Sequence, residues 1–401
     1  MKSMPCAAGW KLTTATANKR RQMNDIEPFR AFEVSRIAHD MKAAGQSVIH
    51  MEFGQPSTGA PREAIAEAHR VLDSDPMGYW ESLPLKQRLA RHYLDTYGVT
   101  VAPEQFILTC GASPALLLAL IASFPPGARI ATARPGYVAY RNTLKALSQQ
   151  PVEIACDASV RFQLTADALA AIEPAPDGII IASPANPTGT VIAGDELARI
   201  AQVCRQRGIR IISDEIYHGL SYGEPAQSIL EFEPDALVVN SFSKYFSMVG
   251  WRLGWLLVPA DRVTHVRAYS SNLFLTPPSL SQHAALVTLD NQTELQGHVR
   301  TYARNRELLL AALPALGLTA IAPPDGAFYI YADIGHLTDD SLEFCKRLVL
   351  ETGVATAPGV DFDPVDGRCF IRFSFAVSTP EVEEAIRRLT PWFSAIEPQQ
   401  P

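Results

Sequence analysis

Gly178-Ile179-Ile180-Ile181-Ala182, running straight into Ser183-Pro184-Ala185-Asn186-Pro187-Thr188-Gly189, is the stretch that decides the fold. An apolar run this short, with nothing polar on either face, is a strand covered by helices on both sides, as strands of a parallel sheet are. The two prolines and the glycine that follow hold a rigid loop at its end. Working outward, the same pattern recurs. Short β-rich runs fall at 105–109, 128–132, 209–213 and 237–240, and helical periodicity lies between several of them, as over 195–207. Such alternation predicts an α/β protein with a mostly parallel central sheet flanked by helices. Ligands of such sheets bind where loops leave the carboxyl ends of the strands.

Around this core the chain divides further. A helical pattern over 29–44 stops at Gly45. A Pro- and Gly-punctuated stretch follows through Phe53-Gly54-Gln55-Pro56. After Leu275-Thr276-Pro277-Pro278 comes a long helical stretch with an interruption near 291–297. The remainder alternates strands (327–332, 369–375) with helices (341–352, 380–393), which reads as a second, smaller α+β domain. The expected division is a flexible N-terminal arm over 1–24, a segment over 25–50, a large domain over 51–296 and a small one over 297–401.

With 401 residues, 47% hydrophobic and 19% charged, the chain can bury a sizeable core and exceeds one typical compact domain. A net charge of −7 argues against a nucleic-acid face and suggests no membrane surface. Cys6, Cys110, Cys156, Cys204, Cys345 and Cys369 form no CxxC pair and read as free thiols of a reducing compartment. The histidines show no HExxH pattern, so no metal site is expected. No apolar run reaches the roughly 18 residues of a membrane span. Lys2, Lys11, Lys19, Arg20 and Arg21 precede the first acid, Asp25, which resembles a transit peptide. A disordered arm, or a true start at Met23, competes with that, and the expected location is the cytoplasm.

Several strand ends carry reactive side chains. Ser241-Phe242-Ser243-Lys244 closes one strand, and Arg252 follows in Gly250-Trp251-Arg252-Leu253-Gly254. A lysine there can form a Schiff base, and serine with arginine suits a phosphate. Ile212-Ser213-Asp214-Glu215-Ile216-Tyr217 closes another. Asp214 either pairs with a ligand's ring nitrogen or caps the next helix. Asn186 is held between two prolines, and a pure turn does not require it. Thr109-Cys110-Gly111-Ala112-Ser113-Pro114-Ala115 sits at a strand-to-helix junction, where free amides bind anions. It also nearly spells a hydrolase elbow with Ser113 as nucleophile, although no local pattern marks a histidine partner. Tyr137, in Arg134-Pro135-Gly136-Tyr137, either stacks on a planar ring or fills the core. Arg372, inside the apolar run Phe370-Ile371-Arg372-Phe373, needs a carboxylate partner: a substrate's, or a structural one.

Taken together and in this order, SPANPTG, DEIY and SFSKYFSMVGWRLGW resemble the class I/II aminotransferases of pyridoxal-5′-phosphate (PLP) fold type I, from about residue 29 to 393. The resemblance implies PLP as cofactor and Lys244 as the Schiff-base lysine that shifts the proton. It implies Asp214 at the pyridine nitrogen, Asn186 and Tyr217 at the phenolic oxygen, and Tyr137 stacked on the ring. Gly111, Ala112, Ser113, Ser241, Ser243 and Arg252 would hold the phosphate. Arg372, helped by the backbone of Gly54 and by Asn186, would hold the substrate carboxylate. The segment over 25–50 would pack on the small domain, and the chain would be a homodimer with active sites at its interface. One departure stands out. In Gly78-Tyr79-Trp80-Glu81-Ser82-Leu83-Pro84 the family's Gly after the Tyr is missing, so Tyr79 is a phosphate ligand of the neighbouring subunit only if this altered loop still delivers it.

The reaction so implied is a ping-pong transfer between an L-amino acid and a 2-oxo acid, with 2-oxoglutarate as the default acceptor. Ser113 stands where some aspartate aminotransferases carry a lysine for the distal carboxylate, which points to neutral or hydrophobic donors. A carbon–sulfur β-lyase on the same residues is the nearest rival. A serine hydrolase using Ser113 and a non-enzymatic PLP-binding regulator are further ones, and the N-terminal arm is too short for the regulator's DNA-binding module.

Overall fold

A computed structural model of the chain describes residues 26–396, so the arm expected over 1–24 lies outside the described residues. The strands in chain order are β1 Ile49–His50, β2 Phe106–Thr109, β3 Arg129–Arg134, β4 Gln150–Ala155, β5 Gly178–Ala182, β6 Arg210–Asp214, β7 Leu237–Ser241, β8 Gly254–Leu257, β9 Tyr329–Asp333, β10 Val354–Ala355, β11 Ala357–Pro358 and β12 Phe370–Ser374. Seven of them form one sheet in the order β2-β8-β7-β6-β5-β3-β4, in which only β8 runs against its neighbours.

Alternate residues explain why this sheet is buried on both sides. Ile179, Ile181, Ile211 and Val238 face one core, with Leu197, Ile200 and Cys204 of helix Gly194–Arg207. Ile180, Ile212, Leu237 and Val239 face the other, with Leu116, Leu118 and Leu120 of helix Ala112–Ser123. Both faces of each strand therefore lose apolar surface to helices, which is the α/β arrangement the alternation predicted. Parallel pairing sets Ala182 beside Asp214 and Asp214 beside Val239. Antiparallel β8 sets Gly254 opposite both Thr109 and Ser241. The carboxyl ends of β2, β5, β6 and β7 thus open on one edge.

A second group of elements centres on the antiparallel sheet β11-β12-β9. Helix Ser341–Thr352 packs on it, and helix Thr379–Ser394 packs on Ser341–Thr352, on β10 and on helix Gln292–Ala312. Helix Ala31–Ala43 lies against Ser341–Thr352, and β1 pairs in parallel with β10.

Some elements differ from the sequence expectation. The first helix starts at Ala31 rather than 29, because the carboxylate of Asp361 accepts from the N–H groups of Arg30 at 2.7 Å and Ala31 at 2.8 Å. The interruption expected over 291–297 is confined to Leu289–Asn291. Gly297 continues helix Gln292–Ala312, so the boundary expected at 296/297 falls inside one helix. Strands β1, β4, β8, β10 and β11 were not anticipated. Among the described residues no helix is long and apolar enough to cross a membrane, and no cluster of histidine, cysteine and carboxylate could hold a metal. Cys110, Cys156, Cys204, Cys345 and Cys369 are free thiols.

Candidate active site

Lys244 sits on a tight turn just past β7. The turn is closed by Met248 N–H donating to the Phe242 carbonyl at 2.9 Å and Phe242 N–H donating to Leu253 at 3.0 Å. The rings of Phe242 and Phe246, 4.8 Å apart, anchor it in the core, which leaves Ser243 and Lys244 facing the sheet edge. The Lys244 amine donates to the Gly54 carbonyl. Burial, then the charges of Arg372 and Arg252, push its pKa down to about 8. A free amine is therefore far more accessible than on a surface lysine.

Asp214 ends β6 and is buried. Burial raises its carboxyl to about 6, against the opposing effect of hydrogen bonds from Tyr140 and the backbone. Tyr140 O–H donates to Oδ2 at 2.6 Å and Ile216 N–H donates to Oδ1 at 3.2 Å. The second bond closes a local turn, and no helix follows for Asp214 to cap. Lys244 feels its charge directly. Tyr137 stands close enough that the Asp214 charge helps raise its phenol pKa, after burial. Its ring meets Tyr140 edge-on at 5.5 Å.

Arg372 is 2% exposed on β12. Its guanidinium lies between the rings of Tyr329 and Phe362, 4.4 and 4.6 Å from their centres. Nη1 donates to Asn186 Oδ1 at 2.8 Å, Nη2 donates to the Glu52 carbonyl, and Nε is buried without a partner. Among the described residues it has no carboxylate ion-pair partner. Tyr217 O–H and Tyr329 O–H share a hydrogen bond of 2.6 Å. Burial holds the Tyr217 phenol well above its ordinary pKa, so it remains a donor.

At the other end of the site, Gly111 precedes helix Ala112–Ser123 with φ of 105°. A Cβ there would come within 2.5 Å of Arg252 Nη2, so only glycine leaves the guanidinium its place across the helix start. Arg252 donates to the carbonyls of Val249 at 2.8 Å and Cys110 at 3.2 Å. Ser241 Oγ accepts from Ser243 N–H at 3.1 Å, across the β8 register from Thr109. Helix-start amides of Ala112 and Ser113, hydroxyls and a guanidinium form a cradle for a phosphate. A buried amine, a buried carboxylate, polar groups at Asn186 and Tyr217 and this cradle are the kinds of group that could hold a phosphorylated pyridine aldehyde.

One expected residue is not drawn in. Tyr79 is 84% exposed and reaches none of these groups in its own chain. Ser113 is exposed at the cradle, and among the described residues no histidine bonds it, so a hydrolase triad is not assembled. Gly54 offers its carbonyl to Lys244, while Glu52 rather than Gly54 offers a carbonyl to Arg372. Sequence reading missed Tyr140, Tyr329 and Glu52. Tyr140 lies one helical turn beyond Tyr137, a spacing that was available as a signal.

A model of the family described as aminotransferase class I and II matches residues 47–389. A valine–pyruvate aminotransferase of Mycobacterium tuberculosis is 45% identical over 374 residues, covering 92% of this chain and 96% of that protein. A crystal structure of a putative aminotransferase from Silicibacter pomeroyi superposes with a TM-score of 0.89 at 42% identity, covering 94% of this chain and all of that one. Aspartate aminotransferase from Thermus thermophilus, solved with maleate, gives 0.85 at 29% identity over 91% of this chain and 97% of that one.

Proposed function

The chain belongs to the class I and II aminotransferases, a family that is generally PLP-dependent, and from that premise we propose that it binds PLP through Lys244 and exchanges amino groups between a neutral, aliphatic L-amino acid and a small 2-oxo acid such as pyruvate. The observation that carries the reading is Arg372: a buried guanidinium that, among the described residues, has no carboxylate ion-pair partner and whose charge Lys244 feels. A buried unpaired charge costs several kcal/mol. A substrate α-carboxylate would complete it through parallel charged bonds.

When bound, PLP supplies an electron sink for the substrate's Cα electrons. With PLP bound, the Lys244 amine would be the base that accepts the substrate's Cα proton and the acid that gives it back to carbon. Its lowered pKa lets it do so near neutrality. Asp214 as carboxylate holds a proton on the ring nitrogen, which keeps the sink open. Asn186 and Tyr217 donate to the phenolic oxygen. Tyr137 covers the ring. Gly111, Ala112, Ser113, Ser241, Ser243 and Arg252 hold the phosphate, with Tyr79 of a second copy reaching the cradle in a homodimer.

Pyruvate stands ahead of the 2-oxoglutarate expected above for two reasons. The Mycobacterium tuberculosis relative is named for valine and pyruvate. Pyruvate also needs no cation for a distal carboxylate, and Ser113 provides none. The test is visible absorbance of the protein incubated with PLP, wild type beside Lys244→Ala, followed by amino donors and acceptors. A yellow, borohydride-trappable wild type, bleached by valine, restored by pyruvate and giving parallel double-reciprocal plots, supports the reading. A colourless wild type sinks it. Restoration by 2-oxoglutarate alone would overturn the acceptor, and pyruvate with ammonia from cystathionine would mark a β-lyase.

A further inference from the structure

We propose that Tyr329 is the positioning residue of this site: its hydroxyl sets the direction of the Tyr217 proton, and its ring sets the plane of Arg372. The inference rests on the functional reading above and adds a residue to it. Tyr329 opens β9, is 1% exposed and sits in register with Ser374 on β12, two residues beyond Arg372.

Hydrogen counting gives the first half. Each phenol has one proton to donate. Tyr217 and Tyr329 share one bond of 2.6 Å, so one proton lies between the oxygens and the other must find an acceptor elsewhere. Among the described residues Tyr329 O–H has no other partner. If Tyr217 donated to Tyr329, the Tyr329 proton would be buried and unsatisfied, at a cost of about 1–3 kcal/mol. Tyr217 O–H has no other partner among the described residues either, so within the chain the bond can run either way. A bound cofactor's phenolic oxygen would give the Tyr217 proton an acceptor, and Tyr329 would then be the donor. Both phenols stay protonated because burial raises them.

Packing gives the second half. Arg372 Cζ lies over the Tyr329 ring at 4.4 Å and over the Phe362 ring at 4.6 Å. Two rings hold a flat cation by its faces and leave its edges open. Asn186 and Glu52 occupy part of the edge, and Nε remains. The edge is where a carboxylate docks. The Tyr329 hydroxyl also abuts Gly54, where a Cβ would lie 1.6 Å from it, and the Gly54 carbonyl takes the Lys244 amine. One side chain thus touches the groups that hold the amine, the phenol donor and the guanidinium.

The two halves separate by substitution. Tyr329→Phe removes the hydroxyl and keeps the ring. We expect kcat to fall about tenfold with KM for valine unchanged. The pH midpoint of the protein's visible band should move up, because a weaker donor to the phenolic oxygen disfavours its more anionic form. Tyr329→Leu removes the ring as well. The affinity for isovalerate, which carries the carboxylate without the amine, should then fall about tenfold by spectral titration, in step with a higher KM. An unchanged midpoint and kcat in Tyr329→Phe would overturn the hydroxyl's role. Unchanged isovalerate affinity in Tyr329→Leu would overturn the ring's. A Tyr329→Phe protein that melts early, with kcat and affinity falling together, would show a purely structural residue and also overturn the proposal. A wild type that takes up no PLP would overturn the functional reading itself, and that is visible before either variant is made.

Discussion

Burial moves Lys244 and Asp214 in opposite directions, and each shift has a pH consequence. The neutral amine is the form that captures PLP. Because the folded pKa of Lys244 is about 8, well below that of an exposed lysine, the neutral fraction rises through about pH 8. The rate at which the cofactor-free protein acquires its visible band should therefore climb with a midpoint near 8, and stopped-flow absorbance would read it. A midpoint near 10 would mean that Lys244 is not buried as described. Asp214 must be ionised to hold a proton on the ring nitrogen, and burial raises it to about 6, so activity should fall as pH drops through that value. Tyr140 opposes that rise by donating to the carboxylate. Tyr140→Phe should lower kcat about tenfold, with the acid limb of the pH profile displaced upward and the loss partly recovered at pH 8.5. A uniform loss at every pH would assign Tyr140 to packing instead. Asp214→Ala should cost several orders of magnitude in rate, since no neighbour can take over the charge.

At the scale of elements, what the sequence made legible was whatever local chemistry dictates alone. β5, β6 and β7 match their expected positions to within one residue, because each is buried on both faces and ends in a loop. The site residues on those loops were readable for the same reason: a polar side chain directly after a buried strand has few structural uses. Edge strand β4 was missed because Gln150-Pro151-Val152-Glu153-Ile154-Ala155 is half exposed and carries a proline. β8 was hidden because its pairing is antiparallel and its residues sit within the lysine–arginine motif. Gly297 reads as a helix breaker, yet its cost of about 1 kcal/mol is outweighed where Leu295 and Tyr302 of the same helix are buried. Tyr329 and Glu52 act through contacts distant in sequence, which no local pattern reports, whereas Tyr140 was signalled only by its spacing from Tyr137. The cradle shows how one junction couples element to site. Gly111→Ala would place a methyl against Arg252 at a φ that alanine resists. Since Arg252 is exposed there, the helix should survive while PLP affinity drops at least tenfold. Titration of the visible band beside a melting curve of the cofactor-free protein separates the two, and equal PLP affinity would remove Arg252 and Gly111 from the phosphate site.

At the scale of the whole molecule, a single chain leaves several apolar side chains uncovered. Leu72 is 59% exposed, Leu83 51%, Leu273 56%, Leu275 55% and Tyr79 84%. Singly these would be ordinary surface residues. They lie instead on elements that touch. Helix Arg62–Leu72 packs on Ser279–Thr288, whose Gln282 bonds Trp80 and Ser82. Arg267, on the helix that ends at Leu273, donates to Glu81 at 2.6 Å. If these side chains form one apolar surface, it is the kind that marks an association face, and Tyr79, the predicted site residue that its own chain leaves out of the site, lies among them. If a second copy covers it, Tyr79 is delivered to the neighbouring cradle and dimerisation is required for tight PLP binding. Sedimentation equilibrium should give twice the chain mass at micromolar concentration. Leu273→Glu with Leu275→Glu should shift that toward monomer, and PLP affinity should fall with the dimer fraction, because each site loses a phosphate contact from across the interface. Tyr79→Phe should weaken PLP without changing the mass. A wild-type monomer that binds PLP tightly would refute the shared site and leave the exposed leucines to another partner.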